Sequence, residues 1–278
     1  NVKKIIREDS CYFKVYFTEQ EFILARKILI ATGGHPSGYK LAASLGHTII
    51  KPVPSLFTFT SRNKELKQCA GVSLRNVRLK IIINQKIFEN YGDLLITHWG
   101  FSGPGILKLS AIAARDLYLS NYKCKLLIRW SALVYEDLLK KINDLRELKG
   151  KSNLINSRPL PNLTKRLWIF LLDKIGIDKE KRWSEISSSD KKNMIKVLLD
   201  DEYFISAKGP FGEEFVKSGG VTLEEVNFRS MESLICPGLY FSGEILNVDG
   251  ITGGFNFQHC WTSGWIAGNS IAQINSFK

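Results

Sequence analysis

Between Gly238 and Gly254 the chain places five glycines and two acids within 17 residues. The order is Gly238-Leu239-Tyr240-Phe241-Ser242-Gly243-Glu244, then Val248-Asp249-Gly250-Ile251-Thr252-Gly253-Gly254, with Phe255-Asn256 following. A short apolar run, then glycines, then a helical pattern reads as a buried strand, a turn and a helix N-terminus. Glycine lets backbone approach a ligand closely. A helix start offers unpaired N–H groups and roughly half a positive charge. Together they suit a phosphate, or negative charge developing on an electron-accepting ring. Glu244 and Asp249, at the strand tip, are placed to accept hydrogen bonds from sugar-type hydroxyls. The competing reading is an ordinary glycine-rich β–α loop.

A second segment, Ile28–Gly34 (ILIATGG), is an apolar strand that ends in the small turn Thr32-Gly33-Gly34. Many β–α turns look like this, so the weight lies in its pairing with the first signal from the far end of the chain. Other chemistry is weakly supported. The cysteines Cys11, Cys69, Cys124, Cys236 and Cys260 are scattered and form no C-x-x-C pair. Neither a zinc site nor a disulfide framework is indicated, and reduced thiols of a cytoplasmic protein fit best. His47 reads as a packing residue at a strand start and His259 as a first-turn helix residue. His98, in a loop before a helix, is a weak site candidate. No proton donor is assigned.

The elements that hold these residues are expected in α/β order. Tyr12–Phe17 and Lys27–Ile30 read as strands, 37–45 as a helix stopped by Gly46, and Thr48–Ile50 as a strand. Residues 58–98 read as antiparallel strands with a turn at Asn90-Tyr91-Gly92-Asp93. Gly103–Leu117 is expected as one helix and Lys125–Trp130 as a strand. Three amphipathic helices follow at Leu138–Leu148, Leu163–Ile175 and Asp190–Leu199, then a strand at Tyr203–Ala207. The chain closes with strand Leu239–Phe241 and a helix from about Asn256 to Ile274. Trp168, Trp183, Trp261 and Trp265 are expected in the core. Residues 1–55 and 213–278 would form one domain on a shared parallel sheet. Residues 56–212 would form an insertion, β-rich over 56–130 and helical over 131–212.

Charge supports the same division. Residues 61–210 carry 28 Lys+Arg against 16 Asp+Glu, so this stretch accounts for the whole net charge of +12. A basic segment concentrates anionic partners such as RNA, although a solvated lysine-rich surface reads equally well. Lys64, Lys67, Arg75, Arg78 and Lys80 are the expected patch. No apolar run is long enough for a membrane span.

Three blocks carry a family resemblance: ATGGHPSGYKLAASLGHTIIKPVPSLFTF at 31–59, THWGFSGPGILKLSA at 97–111, and SGGVTLEEVNFRSMESLICPGLYFSGEILNVDGITGGFNFQHCWTSGWIAG at 218–268. They resemble the aminoacetone-oxidase-type (BaiN-like) NAD(P)/FAD-dependent oxidoreductases, flavoproteins of the glutathione-reductase type, over essentially the whole chain. The resemblance implies a Rossmann-like FAD-binding domain interrupted by an inserted β-barrel-like and helical substrate domain. It implies FAD as cofactor and NAD(P)H as electron donor. The FAD-binding residues it implies are Thr32, Gly33, Gly34, Gly243, Glu244, Asn247, Asp249, Gly250, Thr252, Gly253, Gly254, Phe255 and Asn256. Asn247 and Phe255 depart from the family, which usually has Asp and Tyr there. No G-x-G-x-x-G occurs, and Gly100–Gly105 has the wrong spacing. The chain is therefore expected to lack the family's opening dinucleotide motif. The substrate would be a small organic molecule or a uridine in ribosomal RNA. The reading from a different class is a non-catalytic fragment whose basic insertion binds an anionic partner.

Overall fold

The computed structural model describes residues 1–8, 12–210 and 216–272. Cys11 and the residues after Ala272 lie outside the described residues. The chain divides into two compact units, residues 1–55 with 214–278 and residues 56–213. In chain order, the first unit begins with β1 (Lys4–Arg7), β2 (Phe13–Tyr16), β3 (Phe22–Ala25), β4 (Ile28–Ile30), α1 (Pro36–Ser44) and β5 (Ile49–Ser55). The second unit holds β6 (Phe59–Ser61), β7 (Ser73–Ile83), β8 (Lys86–Ile96), β9 (Gly100–Ser102), α2 (Pro104–Ile112), α3 (Ala114–Leu119) and β10 (Cys124–Arg129). It continues with α4 (Tyr135–Leu148), α5 (Lys165–Lys174), α6 (Ser188–Leu199) and β11 (Asp201–Lys208). The first unit then resumes with β12 (Val216–Val221), β13 (Val226–Asn227), β14 (Glu232–Ser233), β15 (Leu239–Phe241) and α7 (Phe255–Ala272).

The second unit is a closed barrel in the order β10-β11-β6-β9-β8-β7, with α4, α5 and α6 packed into the same core. Alternation builds its wall. Leu79, Ile81 and Ile83 of β7 and Leu126 and Ile128 of β10 point inward and are buried. Leu74 and Val77 are both buried although their spacing is odd. A bulge between them, with Asn76 at φ +49°, restores the inward register. The expected turn at 90–93 is instead continuous strand, since β8 runs through it. The hairpin turns at Asn84-Gln85, both at positive φ, a pair of backbone conformations suited to a tight two-residue loop. Gly92 is needed for packing, because a Cβ there would lie 2.7 Å from the Gly105 Cα on α2. The single helix expected over 103–117 breaks at Ala113 into α2 and α3.

Helices α5 and α6 start where side chains satisfy their first N–H groups. Thr164 accepts from the Leu167 N–H, and Ser187 exchanges bonds with Asp190 in a capping box. Trp168 and Trp183 are fully buried, as expected. One buried charge ties barrel to helices. The Asp201 carboxylate accepts from Trp130 Nε1 at 2.9 Å, from the Tyr203 hydroxyl at 2.6 Å and from Lys174 Nζ at 2.5 Å. Burial raises the pKa of this carboxyl, and the Lys174 charge and the three donors oppose that rise.

The first unit has a separate core. Its sheets are β1-β2-β3, β12-β5 and β13-β14-β15-β4. Among the described residues β15 and β4 are the one parallel strand pair of this unit, beside an isolated parallel bridge between Val221 and Leu246; the expected shared parallel sheet is reduced to this, and the remaining strand pairings are antiparallel. Short connections explain this for β1-β2-β3 and β13-β14-β15, because a hairpin can only return antiparallel, whereas β5 and β12 pair across the insertion of the whole second unit. Beneath the sheet His47 is buried between Glu225 and Ser233, each 2.9 Å from one of its ring nitrogens. Ser233 Oγ already accepts from the Ile235 and Cys236 N–H groups, so its own proton goes to His47 Nε2. His47 is therefore neutral, with its Nδ1–H donated to Glu225. Burial pushes its pKa down.

Candidate functional site

The two glycine-bearing segments meet at one edge of the first unit. Strand β15 lies parallel to β4 with Phe241 opposite Ile30, and the Ser242 N–H donates to the Ile30 carbonyl at 3.2 Å. The turns Ala31–Gly34 and Ser242–Glu244 therefore leave the sheet side by side. Parallel strands end on the same side, which is where open α/β sheets present ligand sites.

Each turn needs its glycines. Gly33 has φ +58°, Gly243 +74°, Gly253 +120° and Gly254 +86°. An added Cβ at Gly33 or Gly254 would meet nothing within 4 Å, so both turns face open space. Thr32 is exposed, and its hydroxyl packs against Gly38 of α1, where any Cβ would collide with it. Gly34 is braced differently: its carbonyl accepts from Lys217 Nζ at 3.2 Å.

The 247–256 loop is tied down from within. Asn256 accepts the Gly250 N–H at 2.7 Å through Oδ1 and donates to the Gly250 carbonyl at 2.9 Å through Nδ2. Its side chain is committed to shaping the loop. Asp249 accepts from Ser55 Oγ at 3.1 Å, and the Asn247 N–H donates to the Val221 carbonyl at 2.9 Å. The Glu244 carboxylate has no hydrogen bond among the described residues, and it raises the pKa of two burial-shifted neighbours, Tyr39 and Cys260. Thr252 and Phe255 lie at the open start of α7, where Phe255 is exposed.

Helix α7 grips the Gly243 turn. Ser263 Oγ accepts the Gly243 N–H at 3.0 Å, His259 Nε2 donates to the Gly243 carbonyl at 3.3 Å, and Cys260 Sγ abuts Gly243 Cα. Ser263 and Ala267 are the buried residues of this helix, a small-residue stripe one turn apart that lets it approach closely. Trp261 and Trp265 lie on other faces and are 68% and 72% exposed, so they are not core residues as expected. Helical spacing marked a common face without saying which face was buried. Sequence reasoning also missed Ser55, Tyr39, Lys217 and Ser263, and gave His259 no site role. Each is distant in sequence from the group it touches, as with Tyr39 and Glu244, Ser55 and Asp249, Lys217 and Gly34, and Ser263 and His259 with Gly243, and only the fold brings them near. His98 lies exposed in the β8–β9 turn of the other unit.

The arrangement offers a strand-edge cradle of positive-φ glycines, two carboxylates and the N-terminus of an 18-residue helix. Among the described residues there is no cluster of His, Cys, Asp and Glu that could hold a metal ion, and no helix is long and apolar enough to cross a membrane.

Comparison with known proteins agrees with this architecture. The chain is 30% identical to a ribosomal RNA dihydrouridine synthase of Escherichia coli (strain K12), over 90% of this chain and 62% of that protein. It is 30% identical to a ribosomal RNA dihydrouridine synthase of Haemophilus influenzae (strain Rd), over 98% of this chain and 66% of that protein. It is 27% identical to a 3-dehydro-bile acid delta(4,6)-reductase of Clostridium scindens, over 90% of this chain and 63% of that protein. The chain thus spans less than two thirds of the length of these relatives. The profile of the HI0933-like protein Rossmann domain matches residues 1–270, and the chain belongs to that family.

Proposed function

We propose that this chain is the flavin-end portion of an FAD-dependent oxidoreductase, with the first unit holding the cofactor and the second the substrate. The observation that carries this is the side-by-side exit of the two glycine turns from parallel strands, with a helix N-terminus aimed at the same edge. The cradle fits the group. Gly33 and Gly254 hold positive φ and face open space, as a close backbone approach to a flat ring needs. Glu244 and Asp249 would accept from ribityl hydroxyls, with Asn247 contributing hydrogen bonds without charge. Gly250, Thr252, Gly253, Gly254 and Phe255 would form the lip, and Asn256 would hold its shape. The positive end of α7 would favour negative charge on the ring edge.

FAD, when bound, would relay two electrons from an NAD(P)H donor to a double bond of the substrate. The favoured substrate is a uridine in RNA. Two relatives at 30% identity are named for that activity, and the second unit carries the chain's excess of positive charge. A small organic molecule is the second reading, supported by the relative named as a bile acid reductase. The test is spectroscopic. Protein extended to the full length of the relatives, equilibrated with FAD and then desalted, should retain a yellow chromophore with quenched flavin fluorescence, whereas the 278-residue chain alone, without the opening dinucleotide motif, should bind FAD poorly or not at all. Loss of all flavin in the extended protein, with the fold intact by circular dichroism, would sink the assignment.

A further inference from the structure

Cations of the second unit fall into two groups. Some on the barrel wall and around its helices are matched by acids. Arg78 pairs with Glu89, Lys86 with Asp116, Lys125 with Glu202, Lys174 with Asp201 and Lys181 with Asp190. Arg75 sits in the β7 bulge, where Asp93 accepts the neighbouring Asn76 N–H. Of the patch expected from sequence, Arg78 is therefore neutralised, Lys80 faces Glu89 across the β7–β8 ladder, and Arg75 sits near an acid.

A second group lies together at one end of the barrel. A short 3-10 helix, Lys64–Cys69, buries Leu66 and Cys69 and thereby turns Lys64 and Lys67 to solvent. Helix α5 packs beside it. Arg166 Nη2 donates to the Ala70 carbonyl at 2.9 Å, and Cys69 Sγ lies 3.8 Å from the Arg166 carbonyl. The β8–β9 turn completes the face, because the Ser61 N–H donates to Trp99 O at 2.9 Å and the Gly71 N–H to Ile96 O at 2.8 Å. That brings exposed Arg62, Lys64, Lys67, His98, Lys165 and Arg166 to one surface, none of them in an ion pair among the described residues. Glu65 is the acid on the 3-10 helix. Lys165 and Arg166 also occupy the first turn of α5, which contains no acid. Cations there oppose the helix dipole, so folding alone does not favour them.

We propose that this face holds the sugar–phosphate backbone of a single-stranded RNA segment. The inference rests on the RNA-uridine reading above and locates its contact surface. Clustered, unpaired Lys and Arg neutralise phosphates and release counterions. A base that must reach an active site is unpaired, so single-stranded or looped RNA is the form expected. His98 at the margin offers a flat ring for a base to stack on.

The test is fluorescence anisotropy of a labelled single-stranded oligouridine with the full 278-residue chain, across roughly 50–200 mM salt. The variant K64Q/K67Q/K165Q/R166Q is compared with K140Q/K141Q/K192Q/K196Q, which removes equal charge from exposed positions on α4 and α6. At about 0.7 log units per phosphate contact, the first set should flatten the salt slope by roughly 2–3 and weaken binding at least tenfold. The control set should change affinity less than about threefold and keep the slope. Equal effects of the two sets, or equal wild-type affinity for duplex DNA, overturn the surface. Wild-type protein that fails to bind oligouridine at low salt overturns the RNA reading itself. Glutamine is used because it keeps these exposed side chains long and soluble. Coincident thermal melts of the variants confirm that folding is not what changed.

Discussion

Ser263 Oγ accepts the N–H of Gly243 at 3.0 Å, joining the third turn of α7 to the turn that ends β15. Both residues are buried, and Gly243 is held at φ +74°. Twenty residues of sequence separate them, yet this bond fixes how the helix N-terminus sits against the strand end.

Ser263→Ala should leave that buried N–H without its partner and destabilise the first unit by about 1–3 kcal/mol. Ser263→Thr keeps the acceptor and should recover part of the loss. Urea denaturation gives the stability, and FAD titration of the same proteins should show weaker flavin binding in the alanine variant. Unchanged values for both would mean that the clamp is incidental.

In protein extended to the full length of the relatives, Gly253→Asp should abolish flavin retention. The position has φ +120°, and an added Cβ would crowd the Phe255 ring at 3.2 Å. A carboxylate there would also face the electron-rich ring edge. Mutant protein that stays yellow at normal stoichiometry contradicts the assigned location of the cofactor.

Stability of the first unit should fall as pH drops below about 6.5. His47 is held neutral by burial, so its folded pKa lies below the unfolded 6.5, and the unfolded chain takes up the proton first. Glu225 adds a second slope of the same sign below about pH 4.5. Burial raises its pKa, but the bonds from Thr48 and His47 outweigh this and lower it. His47→Gln should remove the upper slope while keeping the lower one. Denaturation midpoints followed from neutral to acid pH would reveal both.

Asp201→Ala should destabilise the second unit by about 3–5 kcal/mol, because it strands Lys174 beside buried Trp130 and Tyr203 donors. The double variant Asp201→Ala/Lys174→Met should recover much of that loss, since no uncompensated charge remains. A double variant no more stable than the single one would show that the ion pair is not the source.

Local chemistry along the chain determined much of this protein. Apolar runs ending in glycine set β4 and β15, periodicity set α4, caps and periodicity set α5 and α6, and the density of glycines and acids over 238–254 marked the candidate site. These signals are local, because a strand, a cap or a positive-φ turn depends on residues within a few positions. Tertiary structure alone decided the rest. Which face of α7 is buried depended on the close approach at Ser263 and Ala267, not on the larger aromatic stripe of Trp261 and Trp265. Whether 90–93 turned or ran straight depended on the Gly92–Gly105 packing and on the positive φ of Asn84-Gln85. Which lysines remained unpaired depended on acids brought in from distant strands, as with Lys125 and Glu202. Pairings of that kind are set by register and packing across long sequence separations, where spacing carries no information about the partner.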